Sequence, residues 1–211
     1  MQTEPATRRM LLLTLAGVAG GLKTTARADP AAGPVAPIQQ LVDALLQVMK
    51  ASLGTPFKER YNMLAPVIDR VFDLDAILRA SVGLVWSSLP PAQQALLQPA
   101  FRRYTIVSYL NNFDSYNNQR FTVSPATRPA GNGEQIVQTR ITPTSGDSHE
   151  LDYVMRNTPT GWRAVDVLAD GTISRVAVQR SDFRRLIDRG GAPALAQSLA
   201  SKSLDLSDGM S

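Results

Sequence analysis

The apolar residues of this chain change their period close to residue 119, and that switch constrains the fold more than any motif does. Before it they recur every three or four positions, as one stripe of a helix does. After it they alternate in short runs, as the buried side of a strand does. Ile38, Leu41, Val42, Leu45, Leu46 and Met49 form the first stripe, on a helix of about four turns. Thr55 and Pro56 read as the cap and first turn of a second helix, which carries Pro66 and should be kinked or divided there. Asp73 can cap a third, holding Leu74, Ile77, Leu78 and Val82 and ending near Gly83. A long helix then runs from about Pro91 toward Asn112, with Leu97, Phe101, Tyr104, Val107 and Ser108 on one face and a bend expected at Pro99.

The strand-like segments are "RFTV", "EQIVQTRIT", "HELDYVMR" and "GWRAVDVL". Turn signals at 129–133, 145–147 and 158–161 separate them. Connections this short make an antiparallel meander, because parallel neighbours need a long crossover. From Ile173 the spacing turns helical again, at 173, 176, 177, 183, 186 and 187. Thr172 or Ser174 can cap this helix, Gly190-Gly191 ends it, and "PALAQSLASK" forms a last one. Helices, then about four strands, then helices describe an α+β domain, with helices packed on one face of a curved antiparallel sheet.

The first residues have a separate logic. Arg8 and Arg9 precede "MLLLTLAGVAGGL", and Ala26-Arg27-Ala28 offers a small-residue cleavage site before Asp29. Charge, short apolar core and small residues in that order are those of a cleaved export signal, here residues 1–28. The paired arginines favour a twin-arginine route, with general secretion left open. A Pro- and Ala-rich lead-in, 29–37, is expected to be mobile, with one domain over 38–204 and a tail over 205–211. Of 22 basic and 18 acidic side chains, the signal takes four and one, so 18 and 17 remain, a net charge of +1. A nucleic-acid partner needs clustered positive charge to neutralise phosphates, and this balance does not point to one.

Chemistry-bearing residues are few. The chain has no cysteine, which excludes disulfides and thiolate metal sites, and one histidine, which excludes a two-histidine metal site. There is no phosphate-binding glycine loop. His149, Asp152 and Asp166 are the candidates for acid–base work, and each has a bland alternative as an exposed or ion-paired side chain. The sheet, by contrast, is oversupplied with apolar residues. Leu151, Tyr153 and Met155 alternate with polar neighbours, but Val154 interrupts the polar row. In the next strand Val165 and Val167 face one way, and Trp162, Ala164 and Leu168 the other. A sheet covered on one side needs only one apolar face, so the excess implies further helix cover or an enclosed cavity.

Four stretches, in order, resemble the MlaC family of periplasmic phospholipid-binding proteins of the Mla (toluene-tolerance) lipid-transport pathway. They are "ERYNMLAPVIDRVFDLDAI" (59–77), "LPPAQQALLQPAFRR" (89–103), "GWRAVDVLADGTIS" (161–174) and "RSDFRRLIDRGGAPAL" (180–195). Phe72-Asp73, Trp86, Asp166-Val167 and the Arg180-x-x-Phe183 step carry most of the likeness. The segment "DGTISRVAVQRSDF" is closer to the branch associated with hopanoid-producing bacteria. The resemblance implies an NTF2-like curved sheet with helices enclosing lipid tails, and a lipid carrier in the periplasm with no cofactor and no enzymatic activity. It also implies partners: a phospholipid or hopanoid-type lipid, an outer-membrane lipoprotein complex, and the MCE-type subunit of an inner-membrane ABC transporter.

The lipid-binding residues expected on this reading are Phe101, Tyr104 and Val107 from the long helix. From the sheet come Phe121, Val123, Val137, Ile141, Tyr153, Met155, Val165 and Val167. A register slip of one residue would exchange every strand member. Arg180 falls within the apolar stripe of the helix after Ile173, and Asp166 is its expected partner in a strand-to-helix clamp. The alternative is that its stem lies on apolar surface while its head reaches water. Two other functions stay open: an NTF2-like enzyme using Asp152, Asp166 or His149 on an apolar substrate, and an adaptor that binds only protein.

Overall fold

The computed structural model describes residues 33–51 and 54–208. The expected export signal, the first part of the lead-in (29–32) and the last residues of the tail (209–211) lie outside the described residues. The helices α1 (Val35–Ala51), α2 (Phe57–Val71), α3 (Leu74–Val82) and α4 (Pro91–Asn112) come first, with a 3-10 turn at Gly83–Ser88. The strands β1 (Arg120–Gly131), β2 (Glu134–Thr142), β3 (His149–Thr158), β4 (Gly161–Ala169) and β5 (Ile173–Ser174) follow, and α5 (Arg175–Asp208) closes the chain. All strands pair antiparallel, in the order β1-β2-β3-β4-β5. The α+β class read from the period switch is therefore the one observed.

The elements start and stop for local reasons. Asp73 accepts the Ala76 N–H at 2.9 Å, and α3 ends at Gly83, whose φ of 77° suits a residue without a Cβ. Pro66 and Pro99 are both carried inside single helices, α2 and α4. Three boundaries move relative to expectation. Helix α1 already begins at Val35 and α5 runs to Asp208, so part of the lead-in and part of the tail are helical. Ile173 and Ser174 do not open the last helix; they pair with Ala169 and Leu168 as a fifth strand. Ser174 then caps α5 by accepting the Ala177 N–H at 2.9 Å. Within α5 the helical backbone breaks at Gly190 and Gly191, the latter at φ 67°.

One large core joins the sheet to every helix. Ile38, Leu41 and Leu45 of α1, Leu64 and Ile68 of α2, and Leu97, Ile106 and Leu110 of α4 are essentially without solvent contact. They meet Val137, Tyr153, Met155 and Ala164 from the sheet and Phe183, Leu195 and Leu199 from α5. Each such aliphatic or aromatic side chain contributes about 1.5–3 kcal/mol when withdrawn from water. The other face of the sheet carries only a small apolar cluster, Ile136, Val154 and Val165, with Ala76 and Leu168 against it. Helix cover is thus concentrated on one side.

The α2–α3 junction is tied directly to the sheet. Asp73 donates its backbone N–H to the Ala164 carbonyl at 2.9 Å, a parallel bridge beside Phe72. The Arg163 guanidinium donates to the Asp69 and Phe72 carbonyls at the end of α2, 3.1 and 3.3 Å away. A cation at that end also complements the helix dipole.

Candidate functional site

A cavity of about 290 Å³ lies between α3, α4, the β3–β4 end of the sheet and the start of α5. Helix α4 supplies one wall with Phe101, Tyr104, Thr105, Ser108, Tyr109 and Asn112, whose spacings of three and four place them on one face. Phe72, Leu74 and Ile77 come from the α2–α3 junction, and Leu151, Val167 and Ala169 from the sheet. Val176, Gln179 and Arg175 complete it from α5. Phe101, at 2% exposure, lies at the deep end, whereas Asn112 and Arg175 are exposed and mark the mouth.

Tyr153 backs the aromatic lining. Phe72 packs against Tyr109 with ring centroids 5.5 Å apart and against Tyr153 at 6.2 Å, edge to face. Burial pushes the Tyr153 phenol up to about 12, an effect partly offset by its hydrogen bond with Tyr109. Tyr109 is raised well above the ordinary phenol range, first by burial and then by Tyr153, with the Arg175 guanidinium opposing. Both phenols therefore stay neutral through the physiological range. The cavity wall is apolar side chains, neutral hydroxyls and amides, with one cation, Arg175, and one carboxylate, Asp166, at its edge.

The expected site residues divide into three groups. Phe101, Tyr104 and Val167 line the cavity, and Asp166 reaches its edge. Val107, Val137, Tyr153 and Met155 are wholly buried and outside its lining, and Phe121, Val123 and Ile141 are half-buried against the core. Val165 is a correction: it lies on the opposite face, packed with Ile136 and Val154. The cause is a β-bulge. Val154 pairs with Asp166 but Met155 pairs with Ala164, so Val165 is the extra residue and the alternation flips across it. Ala164 and Trp162 consequently join Val167 on the main core side.

The Asp166–Arg180 clamp is a second correction. Asp166 accepts the Val167 N–H at 2.7 Å, the Val176 N–H at 3.1 Å and the Ser174 hydroxyl. It ties strand to helix, as expected, but by capping α5 rather than by an ion pair. Arg180 lies one turn further on and donates Nε–H to the Ala80 carbonyl at 2.8 Å. Its stem passes over Gly83, with Cδ 3.7 Å from where a Cβ would stand. Unsatisfied N–H groups at a helix start out-compete a more distant cation for the same carboxylate.

The acid–base candidates do not converge. His149 is exposed at the start of β3. Asp152 is 1% exposed and faces Arg128 at 3.3 Å, away from the cavity lining. Among the described residues no group of three or more His, Cys, Asp or Glu is placed to hold a metal. Nor is any described helix long and apolar enough to cross a membrane.

The model of the MlaC protein family matches residues 39–201, which takes in every element that builds the cavity. The chain belongs to the MlaC family. Among relatives of this MlaC-family chain, the toluene tolerance protein ttg2D of Pseudomonas putida is 29% identical over 132 residues. That match covers 62% of this chain and 60% of the relative, so it spans less than two thirds of the relative's length. A phospholipid-binding protein from Ralstonia solanacearum, solved in complex with a phospholipid, superposes with a TM-score of 0.71. The superposition covers 83% of this chain and 99% of that one at 23% identity, a likeness of fold.

The residues missed by sequence reading are mainly Phe72, Leu74, Ile77, Tyr109 and Leu151. Tyr109 carried a usable signal, since it lies one residue beyond Ser108 and about two turns beyond Phe101 on α4. Phe72 carried none, because contacts with β4, the bridge to Ala164 and the Arg163 hydrogen bond, bring it to the sheet from about ninety residues away.

Proposed function

We propose that this MlaC-family protein is an exported periplasmic lipid carrier that holds acyl chain in the cavity between α4, the sheet and the start of α5. The observation that carries the reading is the apolar cavity closed deep by Phe101 and opening at Asn112 and Arg175. Each methylene moved into water costs about 0.8 kcal/mol, so a long acyl chain is held back by roughly 10 kcal/mol from crossing an aqueous gap unaided. A carrier lowers that barrier by substituting protein walls for bilayer. As built, the cavity of about 290 Å³ is roughly twice the ~150 Å³ that takes one benzene ring. It accommodates part of a chain, and a whole diacyl lipid requires α4 and α5 to separate.

Family membership supports the further assignments. The carrier exchanges a phospholipid or a hopanoid-type lipid with an outer-membrane lipoprotein complex and with the MCE-type subunit of an inner-membrane ABC transporter. Solvent extraction of the protein purified from its native periplasm, followed by mass spectrometry, tests the core of the proposal. Near-stoichiometric lipid is expected, and its headgroup and backbone separate phospholipid from hopanoid. A folded protein that repeatedly carries no lipid, and takes none up from vesicles, overturns the reading.

A further inference from the structure

The cavity wall on α4 is graded in polarity from mouth to floor. Asn112 is at the rim, opposite the exposed guanidinium of Arg175; Ser108 is one turn deeper; Tyr104 and then Phe101 follow. Among these, Ser108 is out of place. Its Oγ is buried, faces the cavity and has no hydrogen-bond partner among the described residues. A serine inside a helix ordinarily returns its proton to the carbonyl one turn back. Thr105 on the same wall does so, donating to the Phe101 carbonyl at 2.9 Å. A buried hydroxyl left unmatched is unfavourable, and it becomes favourable only when something in the cavity accepts from it.

Resting on the carrier reading, we propose that Ser108 is a specificity contact that donates a hydrogen bond to the ester carbonyl joining a lipid's head region to its chain. An amphiphile with its tail toward Phe101 and its charged head toward Arg175 brings its first linkage to the level of Ser108. A neutral donor at that depth suits a neutral carbonyl, whereas the cation at the rim suits an anionic head. A lipid whose chain is joined through an ether, or whose apolar body carries no ester, leaves Ser108 with a weaker acceptor or none. The feature selected is therefore the ester linkage of a glycerolipid.

The test uses two probes with the same head and chain lengths: a phosphatidylglycerol with ester-linked chains and its dialkyl-ether analogue, presented as mixed vesicles. Retained lipid is counted by mass spectrometry on the full chain. The wild type is expected to retain the ester form about five- to tenfold over the ether form, the effect of one buried hydrogen bond. Ser108→Ala is expected to bring that ratio close to one by lowering ester retention, with the unloaded variant at least as stable as wild type. Ser108→Thr, which keeps the hydroxyl, is expected to restore the preference. A wild type without preference, or an alanine variant that keeps it, overturns the assignment of Ser108. If the wild type takes up neither lipid, the carrier reading itself fails.

Discussion

Removing the Asp166 carboxylate should loosen the joint between β4 and α5. Its two oxygens accept from the Val167 N–H, the Val176 N–H and the Ser174 hydroxyl, and the first of these lies at 2.7 Å. In Asp166→Ala the Val176 N–H at the start of α5 loses its side-chain acceptor, and Ser174 loses the group that orients its own cap. Losing a helix cap costs about 1 kcal/mol, and each further hydrogen bond to a half-exposed carboxylate about 1 kcal/mol. The total is about 3 kcal/mol, or roughly 6–12 °C in Tm for a chain of this size. Asp166→Asn keeps one acceptor for a backbone N–H and should lose about half as much. Urea titration followed by circular dichroism measures both. A second comparison separates the observed cap from an ion pair: Asp166→Ala and Arg180→Ala share no partner, so their effects should add to within about 0.5 kcal/mol. A loss below about 0.5 kcal/mol in Asp166→Ala, or strong non-additivity with Arg180→Ala, would refute the capping argument.

The bulge at Val165 predicts that Val167→Asp abolishes lipid retention, whereas Val165→Thr costs about 1–2 kcal/mol of stability and leaves retention unchanged; loss of retention in Val165→Thr would put the bulge in the wrong place. Tyr153 and Tyr109 hold their protons more tightly folded than unfolded, so their contribution is intact below the unfolded phenol value near 10 and is lost as pH rises above it, for Tyr153 toward about 12. Stability should fall there as pH rises, and Tyr153→Phe should make the fall shallower; a pH-stability curve unchanged by that substitution would contradict it. Gly190→Ala should destabilise by about 1–3 kcal/mol in thermal melts, because its Cβ would stand 2.8 Å from the Ala194 Cβ at the break in α5. A neutral result would show that the break can shift to make room.

Much of this molecule was legible along the chain. The stripe from Ile38 to Met49, the Asp73 cap, the limits of α4 and the meander all depend on neighbours within a few residues, and local periodicity reports such neighbours directly. The family likeness rested on ordered short segments of the same local kind. Phe101 and Tyr104 were legible as cavity residues because α4 is long and both fall on the stripe that its three- and four-residue spacing marks out.

What depended on distant parts of the chain was not legible. Strand alternation holds only until a bulge shifts it by one residue, and the bulge at Val165 sits where the α2–α3 junction binds the Ala164 carbonyl, ninety residues away in sequence. Phe72 enters the cavity by that same bridge. The partner of Asp166 was settled by which donors the fold leaves unsatisfied nearest to it, the N–H groups opening α5, and no pattern of charges along the chain encodes that. Sequence alone determined the class of every main element, though not of the short β5, and the apolar excess that had to be enclosed. Only the tertiary structure decided which side chains enclose a volume, because a cavity is made where elements far apart in sequence meet and fail to fill the space between them.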